Sequence, residues 1–177
     1  MVIYATDHIE SRTQAYDLLA RGAREVWSLE QLPAAERTEE GKPFFPDFPN
    51  RHFNLSHSGS FALCALSDTP VGVDIQIVKD SWREALPRRV CSPRELEWLG
   101  EQRAYWEAFA LLWALKEARG KYTGKGLRAA REISVPLPAA GRSLYLHDGL
   151  WFRIYTGEGW QAAVCGEEEP PEELIWV

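Results

Sequence analysis

Two apolar runs joined by a very short connection constrain the fold more than any other feature of this sequence. Residues 61–66 read Phe-Ala-Leu-Cys-Ala-Leu, residues 71–77 read Val-Gly-Val-Asp-Ile-Gln-Ile, and the turn formers Ser-Asp-Thr-Pro stand between them. Apolar and β-branched runs of this length, bounded by turn residues, are typical of strands. Because the connection is so short, we expect the two strands to pair as an antiparallel hairpin.

Further strands and helices follow in blocks along the chain. Strand patterns occupy residues 2–5, 52–55, 143–147, 150–155 and 160–165, the last two joined by Thr-Gly-Glu-Gly. Helices are predicted at about residues 11–24, from Ser92 onward, and over residues 105–121, where glycines mark the end. The Pro-rich residues 32–51 predict a loop. Antiparallel hairpins and helices arranged in blocks indicate the α+β class.

Composition excludes several classes of protein. With 177 residues, 45% of them hydrophobic, the chain is expected to fold as one compact unit. The net charge of −6 argues against nucleic-acid or anionic-membrane binding. No apolar run approaches the roughly 20 residues of a membrane span, and the N-terminus turns polar too soon for a signal peptide. Cys64, Cys91 and Cys165 form no CxxC pair, so we expect buried thiols and a soluble, cytoplasmic protein.

An acidic residue stands on the polar side of the strand at residues 71–77. Strict alternation places its Val and Ile residues on one face and Gly72, Asp74 and Gln76 on the other. Asp74 and Gln76 then project side by side, about 6–7 Å apart, and Gly72 leaves room for another group to approach. A half-exposed strand with its polar face in water is the competing interpretation.

A second acidic residue lies on the longest predicted helix. Glu117 and Lys121 are four residues apart and share a face with Trp113. An ordinary surface ion pair explains this spacing as well as a functional site does, and the cations near the helix end suit either a bound phosphate or the helix dipole. Two carboxylates from separate elements with a lysine beside one of them are what a metal-assisted reaction on a phosphate ester requires.

A histidine and a lysine on predicted loops are further candidates. Small hydrogen-bonding residues at 56–59 are expected to end the strand that begins at His52, which places His57 in a turn where it is able to contact a phosphate. An incidental histidine among turn serines is the alternative. A Ser-His-Asp hydrolase is disfavoured, because Ser56 and Ser58 lie outside any GxSxG elbow. Lys42 lies on the Pro-rich loop, where a lone lysine is usually a solvated charge.

Four segments together resemble one family. They are Gly-Lys-Pro-Phe-Phe-Pro at 41–46, Phe-Asn-Leu-Ser-His-Ser-Gly at 53–59, Val-Gly-Val-Asp-Ile at 71–75 and Trp-Ala-Leu-Lys-Glu-Ala-Arg-Gly-Lys at 113–121. In this order they look like the signature blocks of the 4'-phosphopantetheinyl transferases, of the broad-specificity type that activates peptide and polyketide synthases. Each block alone is a weak signal, but four in the family's order are a specific one.

The resemblance implies a fold and a reaction. The fold would be α+β, with two pseudo-related lobes built on antiparallel sheets and a ligand cleft between them. An N-terminal lobe at 1–70, short for the family, and a C-terminal lobe at 71–177 would form a single compact unit, and the protein would be a monomer. The enzyme would transfer the 4'-phosphopantetheine group of coenzyme A to a serine of an apo acyl or peptidyl carrier protein. Magnesium would be required, and 3',5'-ADP would be released.

The family's catalytic roles carry over to residues of the strand and the helix. Asp74 and Glu117 would hold Mg²⁺ against the pyrophosphate, and Glu117 would also take or orient the proton of the carrier serine. Lys121 would bind the phosphate under attack. Gln76 stands where many relatives have a second acid. Its amide oxygen would replace a carboxylate, so we expect weaker Mg²⁺ affinity than in those relatives.

Coenzyme A contacts carry over in the same way. Ser56 and His57 would contact the phosphates, Lys42 would contribute to the nucleotide site, and Arg12 would lie near the 3'-phosphate. Two alternatives stay open: a Mg²⁺-dependent nucleotide phosphohydrolase, and a catalytically weakened module that binds coenzyme A or the carrier protein.

The carrier is expected to dock between the metal strand and the catalytic helix. Cys91, Trp98 and Tyr105 lie in that part of the sequence and mark the expected docking face.

Overall fold

The computed structural model describes residues 1–80, 82 and 85–177, and the side chain of Arg12 lies outside that description. The strands are β1 Val2–Thr6, β2 Glu36–Arg37, β3 Pro43–Phe44, β4 His52–Ser58, β5 Phe61–Ser67, β6 Val71–Ile77, β7 Leu144–His147, β8 Leu150–Gly157, β9 Trp160–Gly166 and β10 Ile175–Trp176. The α-helices are α1 Ala15–Trp27, α2 Ala85–Val90, α3 Pro93–Gly100 and α4 Tyr105–Thr123. Short 3-10 helices span Arg12–Gln14 and Ala130–Glu132.

The strands form two four-stranded sheets and a small ribbon. The first sheet has the order β10-β1-β5-β4, the second has the order β6-β9-β8-β7, and β2 pairs with β3. All pairings are antiparallel except that of β10, which returns from the end of the chain to lie parallel to β1. Helices on largely antiparallel sheets confirm the predicted α+β class.

Three apolar clusters define the layers. Helix α1 packs on one face of the first sheet, and Leu19, Phe45 and Phe53 belong to the apolar cluster there. The other face of that sheet meets the second sheet, and the residues between them include Leu63 and Val73. Helix α4 covers the remaining face of the second sheet. The order of layers is therefore α1, first sheet, second sheet, α4.

The predicted hairpin between β5 and β6 is wrong. Both edges of β5 are occupied, by β1 and by β4, and β6 pairs with β9 in the other sheet. The short connection carries the chain from one sheet to the next, so that the apolar faces of the two strands pack against each other. An apolar pattern with a short turn does not distinguish pairing within one sheet from stacking between two sheets, because both bury the same side chains.

The predicted end of the strand that begins at His52 is also wrong. β4 continues through Ser56 and His57 to Ser58, and pairs with β5 along its whole length. Serine and histidine have no strong strand preference, so the local sequence indicates a turn. Contacts made by the serine side chains with β6 hold the segment extended, as described below.

The helix predictions are confirmed. Ser92 caps α3 by accepting a hydrogen bond from the Glu95 N–H at 3.3 Å, and Pro93 is its first residue. Helix α4 ends at Thr123, and its C-cap is Gly124, whose φ of +79° favours glycine. The three cysteines are buried free thiols, as expected. Among the described residues, α4 included, no helix combines the length and apolar character needed to span a membrane.

Candidate active site

The backbone N–H groups on the outer edge of β6 donate hydrogen bonds to side chains of β4 rather than to another strand. As the first strand of its sheet, β6 would otherwise leave a row of backbone N–H groups unpaired in the interior. Three alternate side chains of β4 accept hydrogen bonds from three alternate N–H groups of β6. The pairs are Asn54 Oδ1 with Val73 N–H at 2.9 Å, Ser56 Oγ with Ile75 N–H at 3.3 Å and Ser58 Oγ with Ile77 N–H at 3.0 Å.

Strand alternation places the two predicted phosphate contacts of β4 on opposite faces. Ser56 is buried, and its hydroxyl donates to Asp74 Oδ1 at 2.7 Å. His57 is exposed and lines a cavity on the other side of the strand. The structure therefore gives Ser56 a contact that the sequence did not indicate, with the acid of β6. The contacts of both residues with coenzyme A remain predictions.

Asp74 lies beneath α4 and is only 3% exposed. The competing interpretation, a polar strand face in water, is wrong for this residue. Its Oδ1 accepts from Ser56 and from Lys121 Nζ at 2.6 Å, and its Oδ2 accepts from Gln76 Nε2 at 2.7 Å. The predicted side-by-side arrangement of Asp74 and Gln76 is thus present as a hydrogen bond.

Gly72 is the reason that α4 approaches this face so closely. A Cβ atom at Gly72 would overlap the carbonyl oxygen of Ala118 and crowd the backbone nitrogen of Tyr122. The absence of a side chain therefore lets the helix backbone lie directly on β6, as expected from the position of this glycine. The close approach brings the last two turns of α4 over Asp74.

Glu117 and Lys121 reach Asp74 from those turns. Burial raises the pKa of the Glu117 carboxyl above its usual value of 4.5, the charge of Asp74 raises it further, and Lys121 partly offsets both effects. Lys121 Nζ donates to the Val73 carbonyl oxygen at 3.1 Å as well as to Asp74. Two acids and one lysine, predicted from separate elements, are therefore neighbours in the fold.

Lys42 bridges the loop before β3 to the second sheet and to α4. Its Nζ donates to the carbonyl oxygens of Val71 at 3.2 Å and Tyr122 at 2.8 Å. Burial lowers the pKa of this ammonium from 10.5 to about 8. Lys42 is thus a half-buried side chain that joins these elements rather than a solvated loop charge, and it also lines the cavity that His57 faces. Its nucleotide contact remains a prediction.

The cavity has a volume of about 500 Å³ and lies between the start of α1, the loop around residue 40, β4 and the end of α4. Most of its ionisable side chains with nitrogen or carboxylate groups are basic, namely Arg37, Lys42, His57 and Lys121, and one is acidic, Glu40. Such a lining suits an anionic ligand of nucleotide size. Arg37 was missed by the sequence analysis, because a single arginine in a polar loop carries no local signal.

The donor set at Asp74 fits a hard cation with few protein ligands. A carboxylate accepts about four hydrogen bonds, and the described residues supply three to Asp74, which leaves one position on Oδ2. Glu117 adds a carboxylate that makes no hydrogen bond to the described residues, and Gln76 adds an amide oxygen. Oxygen donors of this kind suit Mg²⁺, which keeps several waters. No cluster of three His, Cys, Asp or Glu side chains suited to a metal occurs in the described chain.

Other cations of α4 point away from the site. Lys116 forms an ion pair with Glu95 in the core, and Arg119 Nη1 donates to Asp148 Oδ2 at 2.9 Å. Lys121 is the residue among these three that lines the cavity.

Two further predictions have unequal outcomes. Cys91 is fully buried, so it cannot belong to a docking face, whereas Trp98 and Tyr105 are half-buried. The Arg12 side chain, predicted near the 3'-phosphate, lies outside the described residues.

Comparisons with known proteins agree with the sequence blocks. The family model of the 4'-phosphopantetheinyl transferase superfamily matches residues 70–165. The 4'-phosphopantetheinyl transferase Sfp of Bacillus subtilis (strain 168) is 34% identical over 180 aligned residues, which cover 94% of this chain and 79% of that protein. The 4'-phosphopantetheinyl transferase psf-1 of Bacillus pumilus is 40% identical over 106 residues, covering 58% of this chain and 45% of that one. HetI of Nostoc sp. (strain PCC 7120) is 40% identical over 91 residues, or 48% and 38% of the two chains.

Proposed function

Because this chain belongs to the 4'-phosphopantetheinyl transferase superfamily, we propose that it transfers the 4'-phosphopantetheine group of coenzyme A to a serine of an acyl or peptidyl carrier protein. Mg²⁺ would be required, and 3',5'-ADP would be released. The observation that carries the residue roles is the cluster of Asp74, Glu117 and Lys121 next to a cation-lined cavity.

The acid pair would hold the cation. Asp74 would contribute the remaining position on Oδ2, Glu117 would contribute its carboxylate, and Gln76 its amide oxygen. Bound Mg²⁺ would neutralise charge on the pyrophosphate and on the leaving 3',5'-ADP. Ser56 and Lys121 fix the orientation of Asp74 through its other oxygen, so this carboxylate would need little reorganisation when the cation binds.

Glu117 would accept the proton of the carrier serine. Its pKa is raised by burial and by the neighbouring Asp74, and a carboxylate with a raised pKa is a better general base near neutral pH than an exposed one. The carrier serine would bind next to the acid pair. Its hydroxyl would then lie beside the phosphorus atom that it attacks. Lys121 would donate to an oxygen of that phosphoryl group as its negative charge develops.

The cavity would hold the nucleotide end of coenzyme A. His57 on β4 and Lys42 on the loop face it from two sides, together with Arg37, and Lys121 stands at its border with the acid pair. Arg12, which begins the short helix before α1, would add a 3'-phosphate contact. Ser56 would act mainly through Asp74.

The remaining features of the proposal concern organisation. Lobes at 1–70 and 71–177 would supply opposite walls of the cavity, so that one chain would suffice and the protein would act as a monomer. Its partners would be coenzyme A and an apo carrier protein, not nucleic acid or membrane. The buried thiols suit the cytoplasm.

Intact mass spectrometry of the carrier tests the reaction. A panel of apo acyl and peptidyl carrier proteins is mixed with the protein, coenzyme A and Mg²⁺, and the mass of the phosphopantetheine arm is expected on at least one carrier. Chelation of Mg²⁺ is expected to abolish the gain. An unmodified panel would contradict the proposed transfer, and 3',5'-ADP released without any carrier would support the hydrolase instead.

A matched pair of variants tests the role of Glu117. Glu117→Gln is expected to slow transfer by about 10²-fold or more, because the base and a metal ligand are both removed. Glu107→Gln, on the exposed side of the first turn of α4, changes the same chemical group far from the site and is expected to have no effect. Equal transfer rates for the two variants would contradict the assignment of Glu117.

A further inference from the structure

Two buried side-chain atoms in the described residues have no hydrogen-bond partner, Trp82 Nε1 and Gln161 Oε1. Gln161 is 9% exposed and is the second residue of β9, an inner strand of the second sheet. Most buried polar groups in folded proteins are paired, so an unpaired amide oxygen requires an explanation. Nothing in the sequence singled out Gln161, because one glutamine in an apolar strand forms no motif.

The sheet register places Gln161 beside the candidate active site. In the pairing of β6 with β9, Gln161 is directly opposite Gln76, and Ala163 is opposite Asp74. Directly opposite residues share a face, with Cβ atoms about 4.5–5.5 Å apart. That face carries Gly72 and Asp74 and lies beneath α4. Gln161 therefore neighbours Gln76 on the side of the sheet where the acid pair lies.

The two neighbouring amide side chains, Gln76 and Gln161, differ in their hydrogen bonding. Gln76 is tied to the site, because its Nε2 donates to Asp74 Oδ2 at 2.7 Å. Gln161 Oε1 is a buried acceptor that no donor of the described residues reaches. A donor that comes with the ligand would satisfy it, and the hydration shell of Mg²⁺ is such a donor, because this cation keeps several waters when it binds. Groups that accept hydrogen bonds from those waters orient the cation without touching it.

We propose that Gln161 is a positioning residue of the transferase site, whose amide oxygen accepts a hydrogen bond from the hydration shell of Mg²⁺ held by Asp74 and Glu117. The inference rests on the proposed function. It explains how a site with two acids and a glutamine at position 76 holds the cation: a second amide, from the adjacent strand, supplies an acceptor. The oxygen has no partner among the described residues, because its partner would arrive with the metal.

The proposal predicts opposite effects on stability and on metal binding. Without metal, Gln161 buries an unpaired acceptor, so Gln161→Leu is expected to raise Tm by a few degrees, because it removes the polar atom and keeps the volume. The same variant is expected to weaken Mg²⁺ binding by roughly tenfold. Gln161→Glu keeps an oxygen at the same position and adds charge, and is expected to bind Mg²⁺ at least as tightly as the wild type.

Isothermal titration calorimetry with Mg²⁺ and coenzyme A, without any carrier protein, measures the affinity, and thermal unfolding without metal measures stability. Gln102→Leu is the matched control: this amide donates to the Trp98 carbonyl oxygen at 2.9 Å beyond α3, and its removal is expected to leave Mg²⁺ affinity unchanged. Unchanged Mg²⁺ affinity in Gln161→Leu would overturn the proposal. A lower Tm or a failure of that variant to fold would also overturn it, because either shows a folding role.

The failure of this inference differs from a failure of the proposed function. If the wild type transfers the arm but binds Mg²⁺ no more tightly than Gln161→Leu, only the role of Gln161 is refuted. A wild type with neither transfer nor Mg²⁺ binding refutes both.

Discussion

Two lysines five residues apart on α4 each meet a buried carboxylate, with different consequences. Lys116 is 1% exposed, and its Nζ meets Glu95 Oε1 and the carbonyl oxygens of Ala130 and Ile133, each at 2.9 Å. Lys121 meets Asp74 and one backbone carbonyl oxygen, keeps a quarter of its side chain exposed and lines the cavity. An ammonium has three N–H donors. Lys116 uses all three within the protein, and Lys121 has one left over with respect to the described residues.

The difference teaches that the number of N–H donors still available separates a saturated ion pair from one that is still able to contact a ligand. Residue type, helix and buried partner are the same in both cases. A saturated ammonium holds α3 and the segment after α4 in place and cannot contact a ligand. The charge balance differs too: one lysine faces one acid at Glu95, whereas Lys121 faces Asp74 and Glu117 together.

The largest expected effect breaks the structural pair. Lys116→Met leaves the carboxylate of Glu95 buried without its cation, and we expect a loss of about 3–5 kcal/mol in the free energy of unfolding, measured with urea. Lys121→Met is expected to cost less, about 1–2 kcal/mol, because Ser56 and Gln76 still donate to Asp74. Carrier modification should show the reverse order, with the larger loss in Lys121→Met.

A double variant tests whether the cost of Lys116→Met comes from the carboxylate of Glu95 that is left without its cation. Glu95→Leu with Lys116→Met removes both charges, and we expect it to be more stable than Lys116→Met alone. Equal stabilities of Lys116→Met and Lys121→Met would contradict the distinction between a saturated and an unsaturated lysine.

An intermediate effect is expected where β4 supports the acid of β6. Ser56→Ala removes the donor to Asp74 and the acceptor for the Ile75 N–H, and should cost about 1–2 kcal/mol and slow transfer. Ser58→Ala removes only the acceptor for Ile77, so it should cost about 1 kcal/mol and leave transfer near the wild-type rate. Chemical unfolding and the carrier mass assay measure the two effects. Similar transfer rates for both variants would mean that Ser56 does not act through Asp74.

The smallest expected effect is on the pH dependence of stability, because Lys121 faces two acids, Asp74 and Glu117. The pKa of Glu117 is raised in the folded protein, so above pH 4.5 the unfolded chain loses this proton more readily and stability falls as pH rises through the folded pKa. Glu117→Gln removes this loss. Its Tm should therefore exceed that of the wild type near pH 7, and the difference should disappear below pH 4.5. A difference that is constant with pH would show that Asp74 and burial do not disfavour the charged form.

Much of the fold and of the site was predictable from particular residues. Alternation in β6 gave the shared face of Asp74 and Gln76, and the Ser92 cap and Gly124 gave the helix ends, because these signals act over a few residues. The blocks that resemble the transferases gave the family. The pairing of β6 with β9 was not predictable, because the apolar pattern is the same whether two strands pair or stack.

The sequence by itself determined which groups are able to meet: two acids and a lysine on a strand and a helix, and a glycine that lets the two elements approach. Only the tertiary structure decided which polar groups have all their hydrogen-bonding positions occupied and which keep a donor or acceptor for a ligand. Lys116 and Lys121 differ in their remaining donors, Ser56 turns toward Asp74, and Gln161 stays unpaired, all through contacts between residues distant in sequence. Hydrogen bonding is satisfied in three dimensions, so the local sequence does not reveal which group has a donor or acceptor left for a ligand.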